Sequence, residues 1–190
     1  MSPDSGARPG GLRWSLNGAL AAAILALIVA GCGIAASTAV PAPTAPPSPA
    51  PLLSGAVTVT ATQVDAALRA VGLSSTVSPV PFRPGESPTL AAAQRLVLKV
   101  TLPDDEAGAF IVVYDFKDAQ TAYDAGREMA AYLASGPGRV QFANDARAVI
   151  RQAGSTIVFF SWSPATAKDP RTSSVATALE TVGVDVPVVR

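Results

Sequence analysis

The chain has 190 residues, with 14 basic and 14 acidic side chains, one cysteine and no histidine. A net charge of zero argues against a nucleic-acid partner, since such proteins need a basic surface that releases counterions. Without histidine there is no Ser-His-Asp triad and no imidazole metal ligand. The length allows a linker and one modest domain, and the single Cys32 leaves that domain without a disulfide.

The N-terminal segment has the three parts of a secretory signal. Arg8 and Arg13 precede an apolar run over residues 19–30, and the small residue Gly31 then stands before Cys32. A basic region, an apolar region and small residues at a cleavage point are typical of exported proteins. The basic residues before the run predict that the N-terminus stays inside and the bulk of the chain is exported.

The motif Val29-Ala30-Gly31-Cys32 resembles the lipobox of bacterial lipoproteins. The resemblance implies cleavage between Gly31 and Cys32, and a diacylglyceryl group, with palmitate among its acyl chains, on the Cys32 sulfur. It also implies a cell-membrane protein that is anchored by this lipid, with its domain on the extracytoplasmic side. The alternative is an uncleaved helix, because residues 19–36 carry no charge and are long enough to span a bilayer.

The segment after Cys32 is rich in Ala, Ser, Thr and Pro, with six prolines between residues 41 and 51. Such a composition cannot bury a core and favours an extended, polyproline-like linker. A proline-rich ligand for a partner is the alternative. We therefore divide the chain into a signal peptide (1–31), a lipidated cysteine with its linker (32–54) and a globular domain (55–190).

Periodicity predicts an α+β domain, namely a small antiparallel sheet built from hairpins with about three helices packed on one face. One helix starts at a capping box, Thr60 to Gln63, the second at an Asp118 cap, and the third near Thr172 or Ser173. Glycines predict their ends at Gly72, Gly136 and Gly183. Strands are predicted at residues 56–59, 96–102, 110–116, 140–142, 148–151 and 156–162. Residues 74–88 are predicted to be a loop.

No motif of a common enzyme class is present, neither G-x-S-x-G nor G-x-G-x-x-G nor a P-loop. A Ser–Lys dyad would need a buried lysine, and Lys99 is expected to point to water. Asp104, Asp105 and Glu106 could hold Ca²⁺ but match no EF-hand loop, and solvated turn residues explain them better. We predict a protein that is not an enzyme, with no catalytic residue, metal or cofactor. The alternative is a carboxylate-dependent envelope hydrolase.

Two more acids, Asp124 and Glu128, stand one helical turn apart and could form an acid pair. Arg127 lies three residues after Asp124, so an exposed helix face with a salt bridge is the simpler interpretation. This pair therefore gives no reason to change the prediction of a protein without catalytic residues.

The aromatic run Phe159-Phe160-Ser161-Trp162 is the most suggestive feature of the domain. Alternation along a strand puts Phe160 and Trp162 on one face, which is either covered by a helix or lines an apolar groove. We predict a possible binding groove formed by Phe160, Trp162 and Tyr114, with Trp162 near the rim of the sheet. Its partner would be an envelope protein or a small apolar ligand. A structural protein, anchored by a single membrane pass and without a ligand site, is the further alternative.

Overall fold

The computed structural model describes residues 52–188, so the signal, Cys32 and most of the linker lie outside the described residues. The helices are α1 (Gly55–Ala70), α2 (Pro88–Ala92), α3 (Ala119–Ala134), α4 (Gly136–Arg139) and α5 (Thr172–Leu179). The strands are β1 (Ser75–Val77), β2 (Gln94–Leu102), β3 (Asp105–Asp115), β4 (Arg147–Ala153), β5 (Thr156–Trp162) and β6 (Val184–Asp185). Within residues 52–188, no helix is both long and apolar enough to span a membrane.

All six strands belong to one sheet in the order β1-β2-β3-β5-β4-β6, and every neighbouring pair is antiparallel. The prediction of an α+β domain with an antiparallel sheet of hairpins is therefore confirmed. β2 with β3 and β4 with β5 are the two long hairpins, and β3 pairs with β5 at the centre, where Val112 lies opposite Phe159. Gly154 adopts a φ of +60° in the β4–β5 turn, a conformation that glycine allows without strain.

Helices cover both faces of the sheet, so the prediction that they pack on one face is wrong. α1 and α5 pack with one set of strand side chains, including Ile111, Val113 and Phe160. α2 and α3 pack with the alternate set, including Val112 and Phe159. Because the central strands are apolar at successive positions, each of their faces must be shielded from water. The two short helices, α2 and α4, raise the number of helices from three to five.

The segment at residues 56–59 is the first part of α1 and not a strand, so the prediction for it is wrong. Its β-branched residues suit a strand by propensity. However, Val57, Thr60, Val64 and Leu68 are all buried, and this helical spacing places them on one face of a 16-residue helix. Burial of that whole face outweighs the weak local preference.

Other predicted boundaries are mostly close to the observed ones. The Asp118 carboxylate accepts a hydrogen bond from the Thr121 N–H at 2.7 Å, which confirms it as the N-cap of α3. α5 starts at Thr172, and Gly72 follows α1 with a φ of +74°. Three details are wrong: the first helix begins at Gly55 and not at the predicted capping box of Thr60 to Gln63, residues 140–142 form a turn after α4 rather than a strand, and the predicted loop at 74–88 contains β1.

The described chain enters the domain beside the sheet. The N–H and hydroxyl groups of Ser54 donate hydrogen bonds to the Asp115 carboxylate at 2.8 and 2.7 Å. Asp115 is the last residue of β3, a central strand. The residue before α1 is therefore tied to the end of a central strand by two charge-assisted hydrogen bonds.

Candidate functional site

The three residues of the predicted groove do not line a common surface. Phe160 is buried on the face that α1 and α5 cover, and its ring stacks on that of Trp162 with 5.2 Å between centroids. Trp162 is half-buried at the end of β5 and packs against the same cluster. Tyr114 lies on the opposite face of the sheet, packed with α2 and α3. The grouping of Tyr114 with Phe160 and Trp162 was wrong, and Phe160 serves the core.

Tyr114 belongs to a buried polar cluster with Glu86 and Arg95. Its hydroxyl donates to Glu86 Oε2 at 2.6 Å, and Arg95 Nη1 donates to the two carboxylate oxygens at 2.7 and 2.6 Å. Burial raises the pKa of Tyr114 well above its usual range, and the hydrogen bond to Glu86 raises it further. The phenol therefore remains a proton donor at any physiological pH. The cluster joins the loop before α2 to the sheet and offers no free base for catalysis.

The acidic residues singled out in the sequence have separate partners. Asp124 accepts a hydrogen bond from Gln120 at 3.1 Å, whereas Glu128 accepts one from the Thr89 N–H at 3.2 Å, so they do not act as a pair. The N–H of Asp104 donates to Asp169 at 3.1 Å. Among residues 52–188, no group of three or more acidic, histidine or cysteine side chains could hold a metal ion. Lys99, expected to point to water, is half-buried.

A cavity of about 300 Å³ lies where the end of α3 and the segment after α4 meet the start of β4. We call it the edge cavity. It is lined by Leu133, Arg139, Phe142, Ala143, Asn144, Ala146, Arg147 and Ala148. Leu133, Phe142 and Ala148 also pack against the core cluster beneath α3, so the apolar part of the cavity continues into the core.

A tight turn after α3 creates this cavity. Ser135 caps α4, since its hydroxyl accepts a hydrogen bond from the Gly138 N–H at 3.2 Å. A β-carbon on Gly138 would lie 2.0 Å from the Tyr132 carbonyl oxygen, so only glycine permits the chain to fold back this closely. The turn brings Arg139 and Phe142 back towards the first residues of β4. The edge cavity thus depends on a backbone contact that no hydrophobic pattern reveals.

Two arginines stand at the edge cavity without an acidic partner. Arg139 and Arg147 are exposed, and within the described part of the chain neither forms an ion pair. Asp145 is close, but its oxygens accept hydrogen bonds from the Ser163 hydroxyl at 2.7 and 2.9 Å and from the Ala165 N–H at 2.7 Å. Those bonds lower the pKa of Asp145, and the charge of Arg147 adds a smaller contribution. The cavity therefore combines apolar walls with two available positive charges.

A second concave surface is larger but less specific. A groove of about 770 Å³ runs between α1 and the β4–β5 turn. Its walls are mainly small residues such as Ala67, Ala153 and Gly183, and no charged side chain lines it. Ligand sites usually add a few well-placed polar or charged groups to an apolar surface, and of these two surfaces the edge cavity does so with charges.

The comparisons with known proteins add no relative, since no family model, curated protein or solved structure matches this chain. The candidate site therefore rests on geometry and charge. Sequence reasoning missed it, although one signal was present: Arg139 and Arg147 flank Phe142 in a segment without clear periodicity.

Proposed function

We propose that this chain is a lipid-anchored extracytoplasmic protein whose domain binds a ligand and does not catalyse a reaction. The anchor is proposed from the signal pattern and from the lipobox resemblance that ends at Cys32. The observation that carries the binding role is the edge cavity, with apolar walls beside two arginines that lack acidic partners.

The size of the edge cavity supports this role. Small-molecule sites occupy about 300–1,000 Å³, and the edge cavity stands at the lower limit of that range. The hydrolase alternative gains no support, because the buried carboxylates have structural partners: Glu86 pairs with Arg95, and Asp169 pairs with Arg171. A glycosidase needs two carboxyl groups that face each other across a cleft.

The anchor is tested by replacing the lipid acceptor. Only a thiol can form the thioether, so Cys32→Ser should yield a full-length precursor that no longer incorporates labelled palmitate in a lipoprotein-processing host. A wild-type chain that takes up no label would contradict lipidation and would favour the uncleaved helix.

Binding is tested by blocking the edge cavity. Ala143 is exposed at the cavity, so Ala143→Trp should fill it without disturbing the core. Ala107→Trp, at an exposed position of β3, is the matched control. The probes are 3-(4-fluorophenyl)propionate, its amide and the corresponding amine, observed by ¹⁹F line broadening with the full chain in detergent micelles. At least one probe should bind the wild type and Ala107→Trp but not Ala143→Trp. If none distinguishes the two variants, the edge cavity is not a ligand site.

A further inference from the structure

We propose that the edge cavity selects a small amphipathic acid: an apolar body of about ten non-hydrogen atoms that carries one carboxylate. This inference rests on the proposed binding function and adds the chemical class of the ligand. It follows from three features of the cavity, namely the state of its arginines, the nature of its walls and its volume.

The arginines of the edge cavity differ from most others in residues 52–188. Five arginines have a carboxylate oxygen within 3.8 Å: Arg69, Arg83, Arg95, Arg151 and Arg171. The other three are Arg127, Arg139 and Arg147, and Arg127 lies over the Tyr123 ring at 5.9 Å. The remaining two line the same cavity, and no acidic residue lines it with them. Most arginines of the domain are paired with a carboxylate, so an anionic ligand would provide the same kind of partner for Arg139 and Arg147.

The arginines of two other concave surfaces have different surroundings. In the hollow beside α3, Arg127 lies over the Tyr123 ring, and Asp185, which also lines the hollow, pairs with Arg151 at 3.2 Å. In the hollow beside β1, Arg83 and Arg95 both pair with Glu86. Of these three arginine-lined surfaces, only the edge cavity carries two arginines of which neither forms an ion pair.

The walls require that the ligand is also apolar. Five of the eight lining residues are apolar, among them Leu133, Phe142 and Ala146, and Ala146 is only 8% exposed. A free inorganic anion would leave this surface without a partner. A volume of about 300 Å³ equals the space of roughly ten water molecules at about 30 Å³ each, which suits an aryl or short alkyl body.

A carboxylate is the anionic group of the ligand that best fits the geometry of the arginine guanidinium groups. A planar guanidinium donates two parallel N–H···O bonds to a carboxylate, and this arrangement is stronger than bonds to a neutral acceptor. An amide of the same shape gains only neutral hydrogen bonds, and an amine is repelled by both arginines. Selectivity should therefore follow the order acid, amide, amine.

The experiment compares the three fluorinated probes on the full chain and on charge variants. Arg139→Gln and Arg147→Gln remove one charge each, and Arg127→Gln is the matched control on the exposed face of α3. We expect each cavity variant to bind the propionate probe about three- to tenfold more weakly, where tenfold equals about 1.4 kcal/mol. Arg127→Gln should bind like the wild type, and higher salt should weaken binding of the propionate alone.

Two results would overturn the inference while leaving the proposed function in place. One is equal affinity for the acid, the amide and the amine. The other is selective binding of the acid that neither Arg139→Gln nor Arg147→Gln weakens. If Ala143→Trp abolishes no binding at all, the proposed binding function fails and the inference fails with it. Because the substituted arginines are exposed, misfolding is not expected, and matching far-UV circular dichroism spectra will verify this.

Discussion

Gly183, between α5 and β6, should tolerate no side chain. Its φ is +56°, and an added β-carbon would lie 2.0 Å from the carbonyl oxygen of Gln152. Real β-carbon contacts are never that short, and a backbone carbonyl cannot rotate away as a side chain can. Gly183→Ala therefore has to move β6 from β4 and disturb the pairing of Gln152 with Val184.

Gly154 provides a matched control for the backbone conformation. Its φ is +60°, nearly that of Gly183, but nothing lies within 4 Å of its added β-carbon. Gly154→Ala should therefore cost only the left-handed conformation, about 1–2 kcal/mol. Gly183→Ala carries that cost as well as the overpacking cost of about 1–3 kcal/mol, so its total should reach about 2–5 kcal/mol.

The assay is urea denaturation of the full chain, followed by far-UV circular dichroism. The free energy of unfolding should fall further for Gly183→Ala than for Gly154→Ala, by about 1–3 kcal/mol. Equal losses for the two variants would refute the close approach of Gly183 to β4. In that case the left-handed backbone conformation alone would explain the loss of stability in both variants.

Two more predictions concern the stability of the domain at acid pH and the solvent exposure of Trp162. The hydrogen bonds from Arg171 lower the pKa of Asp169 to about 2. A lowered pKa in the folded state gives stability that is present above the unfolded value near 4 and is lost as the pH falls towards 2. Asp169→Asn should thus be less stable than the wild type at pH 7, and the difference between their urea midpoints should disappear between pH 4 and pH 2. A difference that stays constant with pH would contradict the lowered pKa of Asp169. Trp162, half-buried on Phe160, should be partly quenched by iodide in a Trp14→Phe background, and Trp162→Ala should cost less than the ~3–5 kcal/mol of a fully buried aromatic residue. Complete protection from iodide would show that Trp162 is a core residue.

Local signals in the sequence predicted much of the secondary structure. The position of β2 and the Asp118 cap depend on neighbouring residues alone, and both were recognised correctly. The strand assigned to residues 56–59 failed because β propensity competed with a longer helical face whose buried residues extend to Leu68. A short window could not include that whole face.

The candidate site depended on information that local patterns lack. Whether Tyr114 and Phe160 lie on the same face of the sheet depends on the register in which β3 pairs with β5. A shift of one residue in that register exchanges the two faces of a strand. In the structure Tyr114 pairs with Ile157, and Phe160 pairs with Ile111. The edge cavity required the close contact of Gly138 with Tyr132, which brings together residues from 133 to 148.

The attachment of Ser54 to Asp115 has a mechanical consequence under the proposed anchoring. Any tension in the tether reaches the folded domain at Ser54, whose two hydrogen bonds end on the last residue of β3. Because β3 is held on both sides by β2 and β5, the load passes into paired strands at the centre of the sheet. Under that anchoring, the two hydrogen bonds would share the load with the first turn of α1. Under the proposed anchoring, the Asp115 carboxylate is thus the point at which a load on the linker is transferred to the sheet.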